Sequence, residues 1–213
     1  MASVSTTSRS HPRERRGVVA LWTLLMLPVL LVLFAVIVEG VHLWLARVEL
    51  ENSLEAAALA AVTEWAETSG GPSSGWTANA RLVGQQYAAA NTINQTPVVI
   101  GSNVSVSPFD ATANPNENGP CTGDLVFGAV VQAIPKYIVA SSQAPECAGS
   151  ARNHVVRAQA RHEAPSLIGG FLGVNFGGPF PVSATATAMY DCDLKRPRLI
   201  RVASEDFHCP TGP

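Results

Sequence analysis

Residues 34–62 read FAVIVEGVHLWLARVELENSLEAAALAAV, and here an apolar run passes into an acidic amphipathic pattern without a helix-breaking signal. The apolar run ends at Glu39, yet neither a proline nor a turn-forming cluster follows before SGGPSSG at residues 69–75. Prolines and clusters of Gly and Ser are the usual marks of a helix end. The sequence therefore predicts one helix that joins a lipid-soluble half to a water-facing half.

The apolar half has the length and the charge pattern of a membrane span. Residues 18–38 carry no charge, and as a helix they would cover about 30 Å, the thickness of the hydrocarbon core of a bilayer. The preceding tail is rich in arginine, so the positive-inside rule puts the N-terminus in the cytoplasm. We therefore expect a basic cytoplasmic tail at 1–16, a transmembrane helix at 17–38 and an extracytoplasmic remainder. A cleaved secretory signal is the alternative, although its apolar core would be unusually long.

The helical pattern continues through residues 39–67 as a single apolar stripe. The members of the stripe recur at helical spacing: Leu43, Leu50, Leu54, Ala58, Ala61 and Trp65. The run AAALAA at 56–61 has small side chains, which let a partner helix or sheet approach closely. We expect Leu50, Leu54, Ala58 and Ala61 to be packing residues of this helix.

The outer part of the chain changes from helical to strand periodicity. Residues 68–97 predict a linker and a short helix at 76–90, and residues 98–213 predict a β-rich extracytoplasmic domain. Alternation at 154–162 and 182–190 puts Val and Ala on one face and polar residues on the other, as in an antiparallel sheet with one wet side. Further strands are predicted at 103–107 and 125–131. We expect an α+β fold in which the Ala-rich helix covers a small antiparallel β-sheet.

Three motifs of the N-terminal region resemble the TadE/TadG-like family of Flp (tight-adherence) pilus-assembly membrane proteins. They are RRGVVAL at 15–21, LPVLLVL at 27–33 and VEGVHLWLARVELENSLEAAALAA at 38–61. Glu39 matches the acidic residue at the outer end of the family's span, and Arg47 begins the matching helix pattern. The segment at 165–191 also resembles the end of TadG-like ectodomains. The resemblance implies a pilin-like helix in the cytoplasmic membrane of a bacterium.

One position departs from the pattern of processed pilin-like precursors. These have a Gly before the cleavage site and a Glu at the fifth position after it. Gly17 matches the first requirement, but Trp22 stands at the fifth position. We therefore expect an uncut, TadG-type chain.

Glu39 and Arg47 complete the set of expected helix-packing residues. In its plainest interpretation, Glu39 is a charge that marks the water interface. The alternative is an intramolecular or intersubunit pair with Arg47 or His42. Of these two, His42 stands three residues after Glu39, a spacing at which side chains on one α-helix can touch.

All four cysteines lie on the predicted outer side: Cys121, Cys147, Cys192 and Cys209. This placement indicates disulfides in an oxidising compartment, with three connectivities to choose from. We favour sequential pairing, Cys121 with Cys147 and Cys192 with Cys209, because each pair closes a loop rich in turn residues. A metal site is the weaker alternative, since no CxxC occurs.

No catalytic motif stands out, and the net charge of −2 gives no sign of nucleic-acid binding. We expect no catalytic set, cofactor or metal. The predicted function is that of a non-enzymatic single-pass protein of Flp-type pilus assembly or a related secretion or adhesion apparatus. Its expected partners are membrane lipid, other pilus-assembly or pseudopilin proteins, and a second copy through the N-terminal helix. The alternative is an anchored extracytoplasmic hydrolase or ligand-binding module.

Overall fold

The computed structural model describes most of the chain, with several gaps. The described residues are 14–68, 76–101, 123–143, 145, 147, 152–172 and 179–209. The predicted strand at 103–107, Cys121 and the glycine-rich run at 173–178 lie outside them.

Helix α1, Glu14–Thr68, is unbroken across the junction at Glu39, as predicted. It passes through Pro28 and Gly40 and measures about 80 Å at 1.5 Å per residue. The two halves have opposite environments. Large apolar side chains from Val18 to Val38 are exposed, whereas Leu50, Leu54, Val62 and Trp65 are buried.

Helix α2, Trp76–Ala90, covers the residues of the predicted short helix and packs antiparallel to α1. The buried hydroxyl of Ser53 joins the two helices by donating a hydrogen bond to the carbonyl of Ala88 at 3.1 Å. A two-residue turn then links strands β1, Thr92–Ile93, and β2, Thr96–Pro97. Both turn residues, Asn94 and Gln95, have positive φ, which fits the tight turns that suit hairpins.

The remaining strands form one six-stranded sheet. They are β3 Leu125–Gln132, β4 Ile138–Ala140, β5 His154–Ala164, β6 Phe180–Asp191, β7 Arg196–Leu199 and β8 Phe207–His208, in the order β7-β6-β5-β3-β4-β8. Helix α3, Leu167–Leu172, connects β5 to β6. All neighbours are antiparallel except β4 and β8, which are parallel. The expectation of a purely antiparallel sheet is therefore wrong, because the chain returns to the β4 edge in the direction of that strand. The α+β class is confirmed.

The two faces of the sheet are both covered. The face that turns to α1 carries small apolar residues: Val156, Ala158, Ala184, Ala186 and Ala188. On the opposite face, Val126, Val155 and Met189 form a second apolar cluster with Phe207 from the C-terminal segment. The predicted wet side is therefore partly wrong, since the chain after β7 folds back over it.

Candidate functional site

The interface between α1 and the sheet is built from the predicted apolar stripe. Leu50, Leu54, Ala58 and Ala61 are fully buried there. Opposite them lie the alanines of β6, so small residues face small residues and the two backbones come close. Burial of this stripe ties the ectodomain to the outer half of α1.

Arg47 lies outside this packed stripe. Its side chain is exposed and its Nε atom donates a hydrogen bond to Glu51, one helical turn further on, at 3.2 Å. An exposed pair of this kind contributes only a few tenths of a kcal/mol. The alternative pairing of Arg47 with Glu39 is therefore absent.

Glu39 instead contacts a segment that is far away in the sequence. Its Oε2 atom accepts hydrogen bonds from the backbone N–H groups of Leu167 and Ile168, at 3.1 and 3.2 Å. The first N–H groups of a helix have no partner within that helix, so a carboxylate here satisfies two of them in α3. The other oxygen, Oε1, is shielded from solvent and has no partner among the described residues. Glu39 thus fastens the β5–β6 connection to the point where the apolar span ends.

The opposite end of the sheet contains a disulfide between Cys147 and Cys192. The expected sequential pairing is therefore wrong, because it would join Cys192 to Cys209. Cys209 is also disulfide-bonded. The strand pairing explains the error: β5 and β6 align His154 with Tyr190, which brings the chain segments before β5 and after β6 together.

A buried aromatic group adjoins this disulfide. His154 is buried between Trp65 and Tyr190, and its Nδ1 atom lies 3.6 Å from the Sγ atom of Cys147. Burial lowers the pKa of His154 to about 4, so the ring is neutral at pH 7. Ligand atoms of Cys147, His154 and Cys192 lie within 4.8 Å of one another. However, the Sγ atoms of Cys147 and Cys192 are bonded to each other, so neither of them is a thiolate that could ligate a metal.

Two buried arginines were not anticipated from the sequence. Arg81 of α2 donates to the carbonyl of Leu125 at 2.6 Å and stacks over Phe127, with the guanidinium carbon 4.5 Å from the ring centroid. Burial lowers the pKa of Arg81 to about 10, so it keeps its charge at pH 7. Arg157 lies over the ring of Phe207 on the other face, and burial also lowers its pKa. Both cations pack on aromatic faces, an arrangement that stabilises the layers.

An open groove of about 830 Å³ lies beside β6, between the outer half of α1 and the segment after β7. Its polar lining includes Glu51, Glu55, Thr187, Arg201 and Asp206. We assign no ligand to this groove.

The basic segment at 194–201 begins at the end of the sheet remote from Glu39. Asp191 pairs with Arg196 in the ladder, and the neighbouring Tyr190 adjoins the His154–Trp65 cluster. Trp65 lies about 39 Å along α1 from Glu39 at 1.5 Å per residue. That distance is several times the screening length of about 8 Å at physiological salt, so this end is poorly placed for lipid headgroups next to Glu39.

The described fold is that of a long-helix α+β protein with one candidate membrane span. Within the described residues, one helix is long and apolar enough to cross a membrane, with a mean hydropathy of 2.8 in its most apolar window. Residues 17–64 match the family described as putative Flp pilus-assembly TadE/G-like. The resemblance is therefore confirmed over this segment. The match and the apolar helix indicate a membrane-anchored protein with a role in Flp pilus assembly. A search of curated proteins gave no match, and neither did a search of solved structures.

Proposed function

We propose that this protein is a non-enzymatic, single-pass component of Flp-type pilus assembly or of a related secretion or adhesion apparatus. It resides in the cytoplasmic membrane of a bacterium with its N-terminus in the cytoplasm and its ectodomain outside. It acts through contacts of the helix and the ectodomain with other pilus-assembly or pseudopilin proteins. Self-association through the exposed half of α1 is part of this proposal.

The observation that carries the proposal is the division of α1 into two halves. The half up to Val38 exposes its large apolar side chains all round, as a helix in lipid does. The half from Leu50 onward is built into the ectodomain core. Because the helix is continuous, a force or contact at the ectodomain is transmitted to the membrane segment through one rigid element.

Topology is the first test. We would express the full chain in bacteria and wash the isolated membranes with alkaline carbonate. In a separate experiment, protease would be added to intact spheroplasts. The proposal expects the chain to stay in the membrane and the ectodomain to be degraded while the N-terminal tail is protected. A carbonate-soluble chain, or a protected ectodomain, would contradict it.

The role in assembly has a separate test in the source bacterium. Replacing Leu27 and Leu31 by Lys puts two charges into the span, and each costs roughly 3 kcal/mol at the centre of a membrane helix. This variant should leave the membrane and fail to restore pili in a deletion strain. The matched control replaces the same residues by Ile and should restore them. Full restoration by the Lys variant would refute the proposed role.

A further inference from the structure

Apolar side chains remain exposed beyond the end of the predicted span. On α1, Val41, Trp44 and Leu45 are 59%, 66% and 45% exposed, and on α3 Leu167 is 46% exposed. We call these four residues the membrane-proximal collar. The three on α1 are spaced as neighbours on one side of a helix, so they form a continuous apolar surface.

The heights of these residues follow from the helix rise. Val41, Trp44 and Leu45 lie about 3, 7.5 and 9 Å beyond Glu39 along the axis. The headgroup layer of a bilayer extends about 5–8 Å beyond the hydrocarbon core on each side. If the core ends at Glu39, the first two residues lie in the headgroup layer and Leu45 lies at its outer edge. Tryptophan favours this layer because its ring is apolar and its N–H group is polar.

Glu39 brings one part of the ectodomain, the start of α3, to the same height along the axis of α1. The hydrogen bonds from the N–H groups of Leu167 and Ile168 hold the start of α3 beside this carboxylate. Strand β5 ends at Ala164 just before α3, and the start of β6 adjoins Leu43, Trp44 and Arg47 in an open groove of about 440 Å³. The whole β5–β6 end of the sheet is therefore next to the foot of the span.

From this geometry we infer that the ectodomain has a second contact with the membrane: the collar, including Leu167 of α3, is immersed in the headgroup layer of the outer leaflet. The partner is a phospholipid surface, and Glu39 is the positioning residue that holds α3 against it. This inference rests on the proposed function, because it requires α1 to span the bilayer. It predicts an ectodomain seated on the membrane with a fixed orientation.

Photo-crosslinking in lipid nanodiscs tests the inference directly. We would place p-benzoylphenylalanine at Leu167 of the full-length chain, irradiate it in nanodiscs of labelled phospholipid, and measure lipid adducts by mass spectrometry. The same substitution at Leu30 reports on the span. The same substitution at Leu199, which is 43% exposed but lines the groove beside Glu51 and Glu55, reports on the side of the ectodomain.

The expected result is abundant lipid adducts at positions 30 and 167 and several-fold fewer at 199. Lipid adducts at 30 with none at 167 would overturn the inference and leave the proposed span intact. Adducts of position 167 with a second copy of the chain, without lipid, would likewise overturn it. Absence of lipid adducts at 30 would refute the proposed span itself.

The positioning role of Glu39 has its own matched pair of variants. Glu39→Ala removes the bonds to α3 and should lower lipid adducts at position 167 several-fold without changing those at 30. Glu49 provides the control, because its Oε2 atom also accepts a backbone N–H, that of Asn94 at 3.2 Å, but ten residues further from the span. Glu49→Ala should leave adducts at 167 unchanged. Equal adducts at 167 in wild type and Glu39→Ala would refute the positioning role.

Discussion

The ring of Trp65 stands edge-on to the ring of Phe127, with centroids 5.0 Å apart and an angle of 76° between the planes. Trp65 comes from the last turn of α1 and Phe127 from β3, near the middle of the sheet. The same indole contacts His154 at 4.8 Å between centroids. Trp65 thus fixes the C-terminal end of α1 to two strands, whereas Glu39 fixes the point where the apolar span ends to α3.

Replacing Trp65 by Ala should destabilise the ectodomain by about 3–5 kcal/mol, because it leaves a cavity between α1 and the sheet. The side chain is only 2% exposed, so solvent cannot fill its place without cost. The measurement is the thermal midpoint of the detergent-solubilised chain by circular dichroism. Glu67→Ala, at an exposed position of the same turn, is the control and should melt like the wild type.

The disulfide between Cys147 and Cys192 is tested by peptide mapping without reductant. Trypsin separates Cys147 into peptide 137–152 and Cys192 into peptide 162–195, since cleavage follows Lys and Arg. These two peptides should appear as one linked species that vanishes after reduction. Linkage of peptide 162–195 to peptide 202–213 would restore the sequential pairing and contradict the structure.

Burial of His154 makes stability depend on pH. Its pKa is about 4 in the folded protein, against about 6.5 in an unfolded chain. Between these values the unfolded state binds more protons, so the free energy of unfolding should fall as the pH drops from 6.5 to 4. The loss from this residue is about 3 kcal/mol, complete below pH 4.

Other groups titrate in the same range, so the measurement is a difference. Denaturation midpoints of the wild type and of His154→Phe would be compared at pH 7 and pH 4. The Phe ring keeps the contact with Trp65 but cannot take a proton. The stability of the His154→Phe protein should therefore fall less on acidification than that of the wild type. Equal losses in the two proteins would show that His154 is not the titrating group.

Local periodicity explains what the sequence could predict. The continuity of α1, the bounds of α2 and the inward faces of β5 and β6 depend on spacing between near neighbours, which the sequence displays. The role of Glu39 depends on Leu167, which is 128 residues away. No local pattern reveals that contact. From the sequence alone, the partners considered for Glu39 were Arg47 and His42, which lie near it in the chain.

The same limit explains the errors in the sheet and the disulfide. Four cysteines allow three connectivities, and strand register, which decides among them, is a property of the folded chain. Phe207 reads as part of a polar C-terminal segment, yet it pairs in β8 and covers the second face of the sheet. The long-range fold, and not the segment itself, made this residue part of a core.

Gly128 of β3 lies close to the backbone of β4 and of the residue after it, and this contact supplies the last prediction. A Cβ atom there would lie 2.8 Å from the carbonyl oxygen of Ala140 and 3.0 Å from the Cα atom of Ser141. Both are backbone atoms that cannot rotate away, so Gly128→Ala should separate β3 from β4 and cost roughly 1–3 kcal/mol.

Gly40 of α1 is the matched position, because a Cβ atom there meets nothing within 4 Å. Gly40→Ala should be neutral or stabilising by up to about 1 kcal/mol, since alanine favours the helix. The two variants carry the same chemical change, so their thermal midpoints are measured side by side. The midpoint of Gly128→Ala should fall, and that of Gly40→Ala should stay unchanged or rise. A Gly128→Ala protein that melts at or above the wild-type midpoint would show that β3 and β4 lie further apart than described.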